Sequence, residues 1–335
     1  MPASGGPAFR ASAPVRLDFA GGWTDVAPFA VAERGAVVNA AIDLRTEAHV
    51  QPGGETFRLT SEDLGETIEL RGQNGLDSNG RLGLLRAAWR LSGLTGGSLR
   101  TRSQVPPGSG LGSSGALDVA LVAALDAAQG RQRSPQDLAE EAWRLETIEA
   151  GLPGGKQDQY AAALGGFHHL RFEAGAVVVT PLRLEPDFLA ELEQRILVCY
   201  TGTSRVSSNT IERVMTAYTE GRNQVVTALR ALAGLADQMA EALLQGDLAR
   251  SGALLRQNWQ EQQRLDAGMC TETMARLEAA MDRAGSLGGK AAGAGAGGSM
   301  FFILSGDRDE AARAAREAGA TVLPFTWAEQ GVRIG

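Results

Sequence analysis

The sequence predicts an α+β protein of two domains, and three observations carry that prediction. Short strand-like segments separated by glycine and proline turns fill much of the first half. From Ile196 the texture changes to a single strand followed by almost unbroken helical pattern from Ser207 to about Gly285. The chain then closes as strand, helix and strand, the pattern of a small domain with its helices on one face of a sheet. The change of texture places the boundary near residue 190, with domains over 1–190 and 191–335.

The elements follow in order. The opening "MPASGGPAFRASAP" reads as disordered, and it lacks the charged start and apolar core of a secretory signal. "VRLDFAGG" (15–22) alternates as a strand and ends in glycines. "AVVNAAIDLRTEAHVQ" (36–51) and "TFRLTS" (56–61) are further strands, with "PGGE" turning between them. "GRLGLLRAAWRLSGL" (80–94) has helical period, and "GSLRTRSQV" (97–105) is a strand leading into a glycine-rich loop. A helix follows from Ser114 to Gln129. Ser134, Pro135 and Asp137 are a helix start, and that helix runs to about Ala150 before breaking at "GLPGG". Residues 156–164 form a short helix, and "FHHLRF" with "AVVVTPLRL" form a hairpin. "RILVCYTG" opens the second domain, which closes with strands at "GSMFFILS", "ATVLPF" and "GVRIG" and a helix at "DEAARAAREAG". Trp89 and Trp259 sit at helical core spacing, and His168 and His169 read as core residues of the hairpin.

The composition narrows the function. The 335 residues are 44% hydrophobic and 21% charged, ordinary for a globular protein. A net charge of −7 argues against a broad nucleic-acid surface but not against a small pocket holding phosphates. Cys199 and Cys270 are too few for a disulfide framework, and they and the three histidines lack metal-ligand spacing. No apolar run reaches the roughly 18 residues of a spanning helix. The expectation is a reduced, cytoplasmic enzyme without membrane or nucleic-acid partners; its oligomeric state, a homodimer among the options, stays open.

The loop "PPGSGLGSSGAL" (106–117) stands directly before an apolar helix, the place where unpaired N–H groups bind an anion. Gly110, Gly112 and Gly115 fit G-x-G-x-x-G, but no second strand with an acid follows as a dinucleotide site requires. Gly293, Gly295 and Gly298 fit the same weak pattern. "GLPGGKQ" and "GSLGGKA" lack the serine or threonine of a Walker loop. What remains resembles the phosphate loop of the GHMP kinases, the family of galactokinase, homoserine kinase and mevalonate kinase. "APVRLDFAGGWTD" (13–25) and "GGKAAGAGAGGSMFFIL" (288–304) resemble that family's N- and C-terminal signatures, in the family's order. "GGKQDQYAAALGGF" (154–167) and "YTGTSRVSS" (200–208) resemble its heptose-phosphate kinase branch.

The resemblance implies a two-domain GHMP fold, with a ribosomal protein S5 domain 2-like first domain and a ferredoxin-like second domain carrying a helical insert. It implies a kinase that moves the γ-phosphate of ATP, with Mg2+, to a sugar hydroxyl, most readily the anomeric one of D-glycero-D-manno-heptose 7-phosphate. A free sugar such as L-fucose or galactose is the alternative acceptor, and a non-catalytic sugar sensor is the rival class. By the same resemblance Pro107, Gly108, Gly110, Leu111, Gly112, Ser113, Ser114 and Gly115 cradle the nucleotide phosphates. A side chain at Gly110 or Gly112 is expected to block that approach. Asp158 stands at the base position and Arg16 at the assisting arginine, with a helix cap and a surface arginine as the plainer readings. Glu146, with Ser114, is the expected magnesium partner, and Glu149 is its rival on the same helix. Gly22, Trp23, Asp25 and Gly295 are expected at the acceptor, and Arg205 at a phosphate on it. Trp23 departs from the heptose-phosphate kinases and resembles the fucokinase version of the motif; it either stacks on a sugar or fills the fold. Lys290 reads as a solvated lysine.

Overall fold

The computed structural model describes residues 7–71, 82–202 and 207–335. The first domain opens with β1 (Phe9–Ala20), the short α1 (Phe29–Ala32) and the long β2 (Gly35–Pro52). β3 (Thr56–Ser61), β4 (Glu66–Arg71), α2 (Gly83–Ser92) and β5 (Gly97–Ser103) follow. Next come α3 (Ser113–Ala128), α4 (Pro135–Arg144) and a five-residue π-helical turn at Leu145–Glu149. α5 (Gln157–Leu164), β6 (Phe167–Glu173), β7 (Ala176–Pro181) and α6 (Pro186–Arg195) complete this part of the chain.

β1 starts at Phe9, inside the segment the sequence suggested was disordered. It is held there because Phe9 pairs with Val50 of β2 and the Arg10 N–H donates to the carbonyl of Gly335. β4, α1 and α6 were not legible as elements. In β4 only alternate residues are shielded, with Ile68 and Leu70 packing on the core, so the segment reads as a polar turn. The start of α4 is as expected: Ser134 Oγ accepts from the Asp137 N–H at 3.2 Å.

The second part opens with β8 (Ile196–Tyr200) and the helices α7 (Ser207–Thr219), α8 (Asn223–Leu244), α9 (Leu248–Gln263) and α10 (Glu272–Arg283). It closes with β9 (Ser286–Ala291), β10 (Ser299–Leu304), α11 (Arg308–Glu317), β11 (Thr321–Leu323) and β12 (Arg333–Ile334).

Two sheets organise these elements. The first runs β12-β1-β2-β5-β3-β4; the amino-terminal half of β2 also pairs with β6, which pairs with β7. All its pairings are antiparallel except β3 with β5. The second sheet is the antiparallel β11-β8-β10-β9. The end of the chain returns to the first sheet, where Ile334 pairs with Ala11.

Val15 through Ala20 are all buried, a run that requires cover on both faces of β1. α3, α5, α8 and α9 supply it. The carboxyl-terminal half of α8, through Leu235, Ala236, Met239 and Leu243, joins the core built on the first sheet. A second core between the β8–β11 sheet and α7–α11 contains Trp259, Met274, Leu277 and Phe302. The domains thus meet along β1, and the candidate site lies beside that seam. Among the described residues no helix is long and apolar enough to cross a membrane.

Candidate active site

The glycine-rich loop joins β5 to α3 by alternating anchors with left-handed glycines. Gly108, Gly110 and Gly112 have φ of +69°, +76° and +76°, while Ser109 and Leu111 between them are wholly buried. The Ser109 carbonyl accepts from the Ser299 N–H at 2.7 Å, and the Leu111 carbonyl accepts from the Arg16 N–H at 2.9 Å. The loop is therefore pinned to both domains. Gly112 caps α3 without any side-chain hydrogen bond, so the first-turn N–H groups stay open for an anion.

Gly108, Gly110, Gly112, Ser113 and Ser114 line a cleft of about 210 Å³ together with Arg16, Asp18, Trp23, Asp25, Glu146 and Asp158. Pro107, Leu111 and Gly115 do not line it. Pro107 is exposed, and Leu111 lies in the core. A Cβ on Gly115 would come within 2.6 Å of the Asp158 Cβ, so the glycine lets α3 and α5 touch. That contact seats Asp158 beside the loop.

Asp158 is in the first turn of α5, where its side chain is 27% exposed and faces the cleft. Arg16 Nε donates to Asp158 Oδ1 at 2.8 Å, and its Nη1 donates to the carbonyls of Gly110 (2.7 Å) and Ala292 (2.6 Å). One buried guanidinium thereby ties the catalytic candidate to the phosphate loop and to the second domain. A surface arginine is excluded.

Gly112 also carries a steric demand inside the protein. A Cβ there would lie 3.1 Å from Asp158 Cγ and 3.2 Å from Arg16 Cγ. A Cβ on Gly110 would make only ordinary contacts, near 3.7 Å from the Ser299 nitrogen. At Gly112 a side chain would therefore press on the Arg16–Asp158 pair.

Glu146 sits on the π-helical turn, which follows α4 directly. Ser114 Oγ donates to Glu146 Oε1 at 2.7 Å, and Gln159 Nε2 donates to Oε2 at 2.7 Å. Burial pushes the Glu146 carboxyl up to about 7. Glu149 turns the other way and pairs with Arg90 at 3.1 Å. Among the described residues no group of three or more His, Cys, Asp or Glu side chains is set to hold a metal. One carboxylate and one hydroxyl, both hard oxygen donors, fit a magnesium ion that takes its remaining ligands from phosphate and water.

Deeper in the cleft, Asp25 Oδ2 accepts from the Gln157 N–H at 3.0 Å. Burial, with the nearby negative charge of Asp158, pushes the Asp25 carboxyl up to about 6. Trp23 holds a left-handed φ of +82°, lines the cleft and is 5% exposed; its Nε1 is buried without a hydrogen-bond partner. Gly22 belongs to the same turn. Gly295 is turned away, against Met269, and its neighbours Gly293 and Ala294 line the cleft instead. Arg205 lies outside the described residues.

Lys290 contradicts its reading as solvated. It is fully buried, and its ammonium donates to Asp18 Oδ1, to the Asp18 carbonyl at 2.8 Å and to the Ala291 carbonyl at 2.8 Å. Burial pushes Asp18 up and Lys290 down, each opposed by its partner's charge. Sequence reasoning missed Asp18, Gln157 and Gln159 altogether. For Asp18 a signal existed, since it follows Arg16 by two residues on a strand and so shares its face.

Comparison with known proteins identifies the family. Residues 82–166 match the GHMP kinases N terminal domain, and residues 239–321 match the GHMP kinases C terminal domain. The chain is 29% identical over 335 residues to a D-glycero-alpha-D-manno-heptose 7-phosphate kinase of Campylobacter jejuni, covering 97% of this chain and 98% of that protein. It is 30% identical to the bifunctional fucokinase/GDP-fucose pyrophosphorylase of Arabidopsis thaliana, over 89% of this chain and 30% of that longer protein. A solved D-glycero-D-manno-heptose 1-phosphate kinase from Bacteroides thetaiotaomicron superposes with a TM-score of 0.80 at 25% identity, covering 98% of both chains. With both domains matched and the fold shared over its full length, the chain belongs to the GHMP kinase family, phosphotransferases whose acceptor is an alcohol group.

Proposed function

We propose that this GHMP kinase transfers the γ-phosphate of ATP to the anomeric hydroxyl of D-glycero-D-manno-heptose 7-phosphate. The observation that carries the reading is the Asp158 carboxylate, held by Arg16 and facing the cleft between the open end of α3 and the Asp25 turn. In the proposed reaction the acceptor oxygen attacks the γ-phosphorus, its proton passes to Asp158 Oδ2, and the bond to the leaving ADP oxygen breaks. Arg16 orients the carboxylate and stabilises charge near the transferring group. The N–H groups opening α3 hold the phosphates. Mg2+, which GHMP kinases use with ATP, would neutralise phosphate charge, with Ser114 Oγ and Glu146 the residues to hold it. Asp25 takes acceptor hydroxyls, and Arg205 an acceptor phosphate.

Full-length similarity to the Campylobacter kinase supports the choice of sugar. A second reading, a free sugar such as L-fucose, is favoured by Trp23 and by the similarity to the Arabidopsis fucokinase. The test is an ADP-release assay with Mg2+ and ATP over heptose 7-phosphate, free heptose, L-fucose and galactose. The proposal expects heptose 7-phosphate to have the highest kcat/KM; a higher value for a free sugar overturns it in favour of the second reading.

A further inference from the structure

Resting on the reading of this cleft as the seat of a sugar, we propose that Asp18 is a second hydroxyl-binding carboxylate of the acceptor site. It would accept a hydrogen bond from a sugar hydroxyl other than the one phosphorylated. Asp18 lines the cleft, on the face of β1 that also carries Arg16. The pairing of β1 with β2 slips between Asp18 and Ala20, an irregularity of the kind that re-aims a side chain.

Among the described residues, only one of its carboxylate oxygens has a partner. Oδ1 accepts from Lys290, whose remaining donors go to the Asp18 and Ala291 carbonyls, so the ammonium is spent inside the protein. Oδ2 has no hydrogen-bond partner among the described residues. Room is kept for it by Gly22, since a Cβ there would overlap Asp18 Oδ2. The same Cβ would lie 3.5 Å from Gln157 Nε2, which donates to Asp25 Oδ1 at 3.4 Å. Asp18 and Asp25 therefore converge on the Gly22–Trp23 turn.

The unused oxygen defines the ligand. Asp18 lines the cleft, and its Oδ2 wants a donor. A hydroxyl supplies one. A phosphate at this point would face Asp18, Asp25 and Asp158, and the one cation lining the cleft among the described residues, Arg16, is bonded elsewhere. Like charges this close repel strongly in a buried site. The subsite thus takes a neutral polyol edge, and any phosphate on the sugar must lie at its other end.

Asp18→Asn tests the assignment. Lys290 still needs an acceptor, so the new amide turns its oxygen to Lys290 and its N–H groups to the cleft, inverting the polarity the sugar meets. The probe is whichever of heptose 7-phosphate and L-fucose the wild type turns over faster, with its monodeoxy analogues. Acceptor KM should rise about 10–100-fold, the worth of a hydrogen bond to a charged group, while kcat and the KM for ATP stay within about threefold. One deoxy analogue should lose at least about tenfold in kcat/KM with wild type and nothing further with the variant. If Asp18→Asn does not fold, Asp18→Leu with Lys290→Met removes both charges together and should give the same KM rise. An unchanged acceptor KM in a folded variant, or an equal deoxy penalty in both proteins, overturns the inference. A switch of preferred sugar to fucose would overturn the heptose reading alone, because the probe follows the enzyme. Turnover of neither sugar contradicts both.

Discussion

Gly112→Ala separates two accounts of why the phosphate loop carries a glycine at the start of α3. At φ +76° an alanine pays about 1–2 kcal/mol of left-handed strain, of which the stiffer unfolded chain returns about 0.4–1 kcal/mol. The net loss of about 1 kcal/mol should lower Tm by roughly 2–4 °C. The larger consequence is catalytic. The new methyl would stand 3.1 Å from Asp158 Cγ and 3.2 Å from Arg16 Cγ, so the pair must give way by a few tenths of an ångström. A full ångström of misplacement costs on the order of a hundredfold, so kcat should fall about three- to tenfold. The methyl's nearest neighbours are the Arg16–Asp158 pair, so the KM for ATP should move less than about threefold. Steady-state kinetics with ATP varied, together with a thermal melt, read all three quantities. A KM for ATP raised tenfold or more with kcat unchanged would refute the reasoning and return the steric demand to the phosphates.

Three other perturbations follow from the same geometry. The Asp25 carboxyl titrates near 6 in the folded protein against an ordinary 3.8. As pH rises through that interval the unfolded chain ionises first, so the group withdraws stability. Melting of the ligand-free protein should therefore show Tm falling from pH 4 to pH 6.5 less steeply in Asp25→Asn than in wild type; parallel slopes would contradict this. Ser114→Ala removes a proposed magnesium ligand and should raise the Mg2+ concentration for half-maximal rate about tenfold, with acceptor KM unmoved. Magnesium titration of initial rates checks it, and an unchanged requirement would exclude Ser114 from the metal. Lys290→Met leaves the buried Asp18 charge without its partner and should cost about 3–5 kcal/mol in denaturant unfolding, most of it recovered by adding Asp18→Leu. Equal stability of Lys290→Met and wild type would show that the pair holds nothing.

Much of the site was legible because its residues lie in short contiguous stretches. Arg16 and Asp25 share one strand and turn, and Ser113 and Ser114 follow their loop directly. The choice between Glu146 and Glu149 was not legible. It depends on a π-helical turn, which sends Glu146 to Ser114 and Glu149 to Arg90. Lys290 was misread because its glycine neighbours look like a solvent turn. Its burial arises only when β9 meets β1 across the domain seam, 272 positions along the chain from Asp18. The closeness of Gly112 to Asp158 and Arg16 was not legible, because it arises from the α3–α5 contact, which no local pattern encodes. The strand at Phe9 was lost because a polar, small-residue segment becomes a strand only when β2 and the chain end pair with it.

The central claim is that Asp158 receives the acceptor's proton, and Asp158→Asn measures it most directly. The amide keeps the size of the side chain and can still accept from Arg16, so Mg·ATP binding by calorimetry should stay within about threefold of wild type. Turnover of the preferred sugar should fall by roughly 10²–10⁴-fold, the usual contribution of a positioned base. A folded Asp158→Asn enzyme with near wild-type kcat would contradict the account.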